Sequence, residues 1–594
     1  MSLGRRSRQT TAELIVDRLR EWGVDRVFGL PGDGINGFME ALRTRRDSIR
    51  FIQVRHEESA AFMACAHAKY TGRLGVCLAT TGPGAIHLLN GLYDAKLDSA
   101  PVLAITGSTY HDLVGMNYQQ DVNLPNLFAD VAVYNHLVMG AAHAESVVDA
   151  ACRTALSRRG VAHISCPIDF QEQELREDEQ SSKMVEGHTS TAWLPPVAVP
   201  CAEDIERAAR VLNEGRKVVI LAGQGAADAG EELLRCAEAL DAPVVKALLG
   251  KAVIPDDSPY ALGGIGLLGT EPSERALEDC DTLFMVGTNF PYLEYYPKPG
   301  TARGVQIDRD PARIGLRYAV EVGLAGDAKS TLQALLPMLE GAGSSKFLAE
   351  GRARMREWRE LIRDRGSRED VPMKPQVLAA RLGEVLADDA IISTDSGTVT
   401  AWAARHISIR GTQKFSCSGT LASMACAVPY SIAAQLAYPE RQCVAFVGDG
   451  GFSMLMSELV TAVKYALPIT VVVLNNGSLG MIKWEQMVFL GNPEYGCELQ
   501  PIDFVKVAEA CGAAAVRCEA PGEIRDVLAG ALARAREERR PVLVDAVVDP
   551  YEPPQPPRVK REQAVHMAKA LARGEPNGSR IALTLFRDKV HDLF

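Results

Sequence analysis

Residues 448–476 read GDGGFSMLMSELVTAVKYALPITVVVLNN. A glycine turn opens the stretch and an amphipathic helical run follows. Pro468 then opens a β-branched strand that ends on Asn475 and Asn476. Strand, turn, helix and strand in this order make a βαβ unit of parallel sheet. Residues 81–107, TGPGAIHLLNGLYDAKLDSAPVLAITG, repeat the order. The two regions also close alike, each with a helix and then a strand: GVAHISCPIDF at 160–170 and RPVLVDAVVD at 540–549. Any βαβ unit shares part of this pattern, but the double match reads as duplication of one α/β domain. The runs VCLAT, PVLAIT, VVIL, TLFMVG, VAFVG and TVVVLN extend parallel-sheet character over most of the chain.

Two polar stretches divide it. Residues 172–200 are polar and then Pro-rich, and residues 341–372 begin GAGSS and carry the charged helical run RARMREWRELIRD. The expected organisation is three doubly wound parallel-sheet domains over 1–180, 195–340 and 370–550, the first and third alike, with a short helical C-terminal tail over 551–594. Twin open sheets supply two sets of strand C-terminal ends, the places where such sheets bind ligands.

Composition narrows the function classes. With 47% apolar and 23% charged residues among 594, the chain is globular. A balance of 64 basic against 75 acidic side chains lacks the positive excess of a nucleic-acid binder. The 13 cysteines stand singly, without a CxxC pair, so neither a disulfide framework nor a zinc site is expected. The start, MSLGRRSRQT, has no apolar core for a signal peptide, and no apolar run is long enough for a membrane span. These features predict a cytoplasmic protein.

The chemistry sits at the strand ends. The strand CVAFVG ends at Gly448, Asp449 occupies the tight turn, and a helix expected from about Phe452 points its N-terminus at the same spot. Adjacent parallel strands would bring Asp449 beside Asn476. One carboxylate, an amide oxygen and backbone carbonyls suit Mg²⁺ shared with a diphosphate. Either element alone reads as an ordinary turn, but GDG and NN 24 residues apart form a specific pattern. That pattern resembles the diphosphate–metal motif of the thiamine diphosphate enzymes. The resemblance implies Asp449, Asn476 and the carbonyl of Ser478 as metal ligands, with Gly448, Gly450, Gly451, Leu479, Gly480 and Met481 around the diphosphate. It also implies a buried glutamate near the chain start that bonds the aminopyrimidine, and VRHEESAAFMACAHAKYTG supplies Glu57. Standing alone, Glu57 reads as a surface helix residue. In GTLASMACAVPYSIAA the resemblance puts Met424, next to Ser423, under the bent cofactor. Met as a gap-filler of the core is the plain alternative. Many relatives have glycine where Ala425 and Ala427 stand.

Within the family, the chain resembles the bacterial FAD-containing pyruvate oxidases and pyruvate:quinone oxidoreductases over nearly its whole length. LFMVGTNFPYLEYYP and VQIDRDPARIG carry the likeness in the middle domain, together with GGFSMLMSELV, LPGDGINGFMEAL and the closing QAVHMAKAL. It implies FAD held by Ile265, Gly266, Leu267, Leu268, Thr288, Asn289, Phe290, Pro291 and Tyr292, with Asp308 on the ribose or adenine side. It further implies His87, Gln119 and Glu485, with Tyr118, around the reacting carbon. The oxidases often have phenylalanine where Tyr118 and Met481 stand. Met481 looks more like acetolactate synthase, whereas Glu485 argues for the oxidases. The implied activity is oxidative decarboxylation of a small 2-keto acid, pyruvate first, with quinone or oxygen as final acceptor. The alternative is an acetolactate synthase-type carboligase with a structural FAD. Family likeness implies a homodimer at least, and a homotetramer as the fuller assembly. In the tail, Ile581, Leu585, Phe586 and Val590 fall on one helical face, away from Arg587 and Lys589. That face suits either peripheral membrane contact or packing onto the protein's own body.

Overall fold

The computed structural model describes residues 9–176, 180–185, 187–341 and 345–591, without the side chains of 588–591. Most of the opening MSLGRRSRQT and the side chains of Lys589 and Val590 lie outside the described residues.

Among the described residues, eighteen strands form three six-stranded sheets, every pair of neighbours parallel. The first holds β1 Arg26–Gly29, β2 Arg50–Gln53, β3 Gly75–Ala79, β4 Val102–Ser108, β5 Ala132–Leu137 and β6 Val161–Pro167, in the order β2-β1-β3-β4-β6-β5. The third holds β13 Ile391–Thr394, β14 Lys414–Ser416, β15 Cys443–Gly448, β16 Thr470–Asn475, β17 Ala514–Cys518 and β18 Val542–Val547, in the order β14-β13-β15-β16-β18-β17. Counted from their own first strands the two orders are identical, so the duplication read from the sequence holds strand by strand. The middle sheet holds β7 Val218–Ala222, β8 Val244–Lys246, β9 Ala261–Gly264, β10 Thr282–Val286, β11 Arg303–Asp308 and β12 Val322–Ala325. Its order, β12-β11-β10-β7-β8-β9, is that of the dinucleotide-binding folds, with the switch point between β7 and β10. The central strands read as unbroken β-branched runs because helices cover both faces: Val471, Val472 and Val473 of β16 are all fully buried.

The first and third domains meet through two helices, Glu57–Thr71 and Ala427–Ala437. Each lies between the second and third strands of its own sheet, so they occupy equivalent places in the duplicated order. Small residues such as Ala60, Ala61 and Ala64 on one helix and Ala427, Ala433 and Ala434 on the other let the backbones approach. Phe62 and Tyr430 meet edge to face across the contact, at 6.4 Å. In the same core Lys69 is buried and donates to Asp94 (3.1 Å), Asp98 (2.7 Å), the Tyr430 hydroxyl (2.7 Å) and the Cys417 carbonyl (2.9 Å). Burial works against its charge, but Asp94 and Asp98 outweigh it and hold the ammonium well above the usual lysine range. Asp98 also accepts the backbone N–H groups of Gly419 and Thr420, while its carbonyl accepts from Gln224 of the middle domain.

The tail forms helices Arg561–Ala572 and Gly578–His591. Ile581 is fully buried against Trp484, Met487 and Ala570, and Leu585 packs on the same cluster. Phe586, expected on that face, instead points outward together with Leu583. Lys483, buried beneath the tail, pairs with Glu494 at 2.9 Å, and the backbone N–H of Glu494 bonds Glu575 of the tail. At the tail's start, Arg405 donates to the carbonyls of Leu267 and Gly269 in the middle domain and of Gln555. Burial pulls its guanidinium down to about 10. No helix among the described residues is long and apolar enough to cross a membrane.

Lys69→Met would leave Asp94 and Asp98 buried without their cation. Removing one partner of a buried ion pair costs about 3–5 kcal/mol. We expect a loss of that order in the urea unfolding free energy, with a clear fall in melting temperature. A variant as stable as the parent would show that the network does not hold the domains together.

Candidate functional site

The register of the third sheet sets Gly448 opposite Leu474, so β15 and β16 release Asp449 and Asn476 side by side. The helix after β15 begins at Asp449 itself, Asp449–Met454, three residues earlier than the sequence suggested. Asp449 thereby presents its carboxylate at the turn. Oδ1 accepts the Gly450 N–H (2.9 Å) and Oδ2 the Gly477 N–H (2.6 Å) across the strand ends. Burial pushes this carboxyl up to about 6. Gly477, at φ +64°, turns the chain back, and the Asn476 side-chain oxygen accepts from the Ser478 N–H at 3.1 Å. Ser478 Oγ is buried with no hydrogen-bond partner. Asn475 differs from its neighbour, since its amide is committed to Asp545 at 2.9 Å. A buried carboxylate, an amide oxygen, a backbone carbonyl and an unpartnered hydroxyl together fit a hard divalent cation.

Met424 lies against this turn. A Cβ on Gly450 would come within 3.3 Å of Met424 Cε and 3.0 Å of Leu479 Cδ2. The Met424 loop is fixed by a residue the motif reading missed. Asp395, fully buried, accepts the Cys426 N–H on Oδ1 and the Ala425 N–H on Oδ2, both at 2.8 Å. It also explains the last glycine of the GDGG run, because a Cβ on Gly451 would sit 1.9 Å from Asp395 Oδ2. An acid at the very end of a buried strand, as in IISTD, was the available signal. Ser423 faces the first domain and bonds Asn90 at 2.9 Å.

One cleft of about 1510 Å³ joins this cradle to the middle domain. Gly448, Asp449, Gly450, Gly451, Asn476, Ser478, Leu479, Gly480, Met481 and Glu485 line it together with Met424. Ile265, Leu267, Leu268, the run Thr288–Tyr292 and Asp308 line it from the middle sheet's strand ends. Gly266, also expected there, instead lies under a ring: a Cβ on it would be 2.7 Å from Phe290 Cζ. Gly225 and Gly287 pack backbone to backbone at the switch point, where a Cβ on either would clash. Burial raises the carboxyls of both Glu485 and Asp308 above their ordinary range. A cavity of this length, with a cation cradle at one end and a dinucleotide-fold edge at the other, can hold two extended phosphate-bearing groups.

Glu57 and His87 lie elsewhere. Glu57 is the first residue of its helix and is buried. Its Oε2 bonds His87 Nδ1 at 3.0 Å. Gly84 leaves room beside Oε1, which a Cβ there would approach to 3.2 Å. Gln119 is exposed on the loop after β4, and it is Gln120, at φ +61°, that packs on the Gly82 turn. None of Glu57, His87 and Gln119 is among the described residues that line the cleft. The two groups of expected site residues therefore lie apart within one chain.

Comparison with known proteins matches both halves. The N-terminal TPP binding domain of thiamine pyrophosphate enzymes matches residues 9–127, their central domain residues 205–335, and their C-terminal TPP binding domain residues 395–546. A Bacillus subtilis protein named for thiamine pyrophosphate, YdaP, is 42% identical over 99% of this chain and 100% of its own. A pyruvate oxidase of Lactiplantibacillus plantarum is 35% identical over 90% of this chain and 88% of its own. An acetolactate synthase of Mycobacterium bovis is 30% identical, over 91% and 88%. The chain belongs to the thiamine pyrophosphate enzyme family.

For a member of the thiamine pyrophosphate enzymes, the Met424 loop is unusual at Ala425, where resemblance leads one to expect glycine. Ala425 has φ +72°, a conformation that costs an L-residue about 1–2 kcal/mol. Ala427 is helical and carries no such strain. Ala425→Gly should therefore raise the unfolding free energy by about 1 kcal/mol, after allowing for the greater freedom of glycine in the unfolded chain. Ala425→Val should lower it. Denaturant unfolding of the two variants checks the sign, and an Ala425→Gly protein less stable than the parent would contradict it.

Proposed function

We propose that this thiamine pyrophosphate enzyme oxidatively decarboxylates pyruvate, with FAD as a second cofactor and quinone or oxygen as final acceptor. The single observation that carries the reading is the continuous cleft from the Asp449 cradle to the dinucleotide-fold edge of the middle sheet. Thiamine diphosphate supplies the electron sink for loss of carbon dioxide, and FAD takes two electrons. Pyruvate and water give acetate, carbon dioxide, two protons and those two electrons; phosphate in place of water gives acetyl phosphate.

The roles of the residues follow from their positions. Asp449, Asn476 and the Ser478 carbonyl would hold Mg²⁺ against the diphosphate. Met424 and Met481 would flank the cofactor, and Glu485, partly buried, would face the reacting carbon. Ile265, Leu267, Leu268, the Thr288–Tyr292 run and Asp308 would hold the dinucleotide. Glu57 would bond the aminopyrimidine through its unpaired oxygen, with His87 bonded to the other. Because the buried Glu57 does not line the cleft of the Asp449 cradle, we propose that each complete site forms between two chains. A homodimer is then the least assembly and a homotetramer the fuller one. Exposed apolar groups at both half-sites support this: Ile86, Met116 and Tyr118 on one, Ile482, Phe489 and Leu490 on the other. We place the enzyme in the cytoplasm. Any membrane contact is peripheral, for which the outward Leu583 and Phe586 of the tail, beside Arg580 and Arg587, offer a small surface.

Met481 favours a second reading, an acetolactate synthase-type carboligase with a structural FAD. Anaerobic addition of pyruvate separates the two. Bleaching of the oxidised flavin absorbance supports the oxidase; an unbleached flavin with acetolactate accumulating supports the ligase and overturns our reading.

Mixed oligomers test the shared site. Glu57→Gln alone should lower turnover about 100-fold or more, the usual weight of an acid–base group. Asp449→Ala alone should abolish Mg²⁺-dependent thiamine diphosphate binding. Combined in one oligomer, the two variants leave one kind of site intact and should recover activity that neither shows alone. No recovery in verified mixed oligomers would mean that each chain builds its own site.

A further inference from the structure

Two imidazoles flank Glu57, and only His87 has been given a part. His56 precedes Glu57 in the chain and caps the helix that Glu57 begins, its Nδ1 accepting the Glu58 N–H at 3.2 Å. Its ring lies over that of His87, with centroids 4.5 Å apart and planes 27° from parallel. One ring nitrogen from each histidine and one Glu57 carboxylate oxygen all fall within 4.8 Å of one another.

His87 needs such support. Its side chain is 43% exposed, and the polar contact it makes is the single bond from Nδ1 to Glu57. One hydrogen bond leaves an exposed imidazole free to turn about both side-chain torsions. A second ring stacked on its face removes much of that freedom. We infer that His56 is a positioning residue: its stack holds His87 Nδ1 on Glu57 and so fixes the direction in which His87 Nε2 points. This inference rests on the catalytic parts proposed above for Glu57 and His87.

The two jobs of His56 need different chemistry, so they can be separated. The cap needs a short acceptor, which asparagine supplies. The stack needs a ring, which phenylalanine supplies without an acceptor. His56→Asn should keep the melting temperature and the affinity for thiamine diphosphate close to the parent's, yet lower kcat about tenfold with little change in KM for pyruvate. His56→Phe should melt at a lower temperature but recover most of the kcat that asparagine loses. A residue that serves only as a cap predicts the reverse order. If His56→Asn retains full kcat, or both variants lose it equally, the inference is overturned.

A readout independent of turnover keeps this distinct from the proposed reaction. Carbethoxylation of His87 by diethyl pyrocarbonate, followed by peptide mass spectrometry, should run several-fold faster in His56→Asn than in the parent or in His56→Phe. An unchanged rate in His56→Asn would overturn the stack even in an enzyme that proves inactive toward pyruvate. A parent enzyme that turns over no pyruvate while its His87 shows the predicted rates would overturn the reaction and leave the stack standing.

Discussion

Everything in this chain meets at one buried ammonium. Lys69 lies on the helix that Glu57 begins, and its charge is shared by Asp94, Asp98, Tyr430 and a carbonyl of the third domain. Asp98 passes the connection on, to backbone N–H groups of the third domain through its carboxylate and to Gln224 of the middle domain through its carbonyl. An ammonium in an apolar core is tolerable only when each proton has an acceptor. Each acceptor here belongs to a segment that must already be folded. The contact of the first and third domains thus rests on buried charge pairing as well as on packing, and the Asp98 carbonyl ties the middle domain to the same point.

The duplication explains why the site is divided. The first and third domains share a strand order, and both place a glycine turn and a helix start at the same sheet edge. One edge presents an acceptor set suited to a cation and phosphates, the other a carboxylate beside two imidazoles. The helices Glu57–Thr71 and Ala427–Ala437 pack face to face within one chain, which spends the surfaces nearest the two edges on holding the domains together. A second copy completing both edges is the arrangement proposed above.

Much of this was legible in the residues, for a definite reason. Turn glycines, strand runs and the GDG–NN pair act over short distances, where sequence spacing translates directly into geometry. Asp449 and Asn476 met because adjacent parallel strands end together. What the sequence concealed depends on contacts between distant segments. Asp395 reaches a loop 30 residues away in the chain, and Lys69 finds Tyr430 across a domain boundary. The helix start at Asp449 and the packing of Gln120 on the Gly82 turn depend on single backbone torsions, below what spacing can specify. The amphipathic pattern of the tail was visible, but a pattern does not say what it faces; Ile581 chose Trp484 and Met487, and Phe586 was left to solvent.

The contact at Arg405 bears on how such a protein can be cut and rebuilt. This guanidinium is buried, and the hydrogen bonds it makes run to carbonyls of the middle domain and of the tail's first residues. A truncation that retains Gln555 keeps the three carbonyl acceptors, whereas one a few residues shorter removes one of them from a guanidinium inside the protein. The first residues of the tail therefore belong with the body of the protein. Fusion joints, protease sites and deletion endpoints belong after this residue, and a chimera that exchanges tails has to carry the carbonyl along with them.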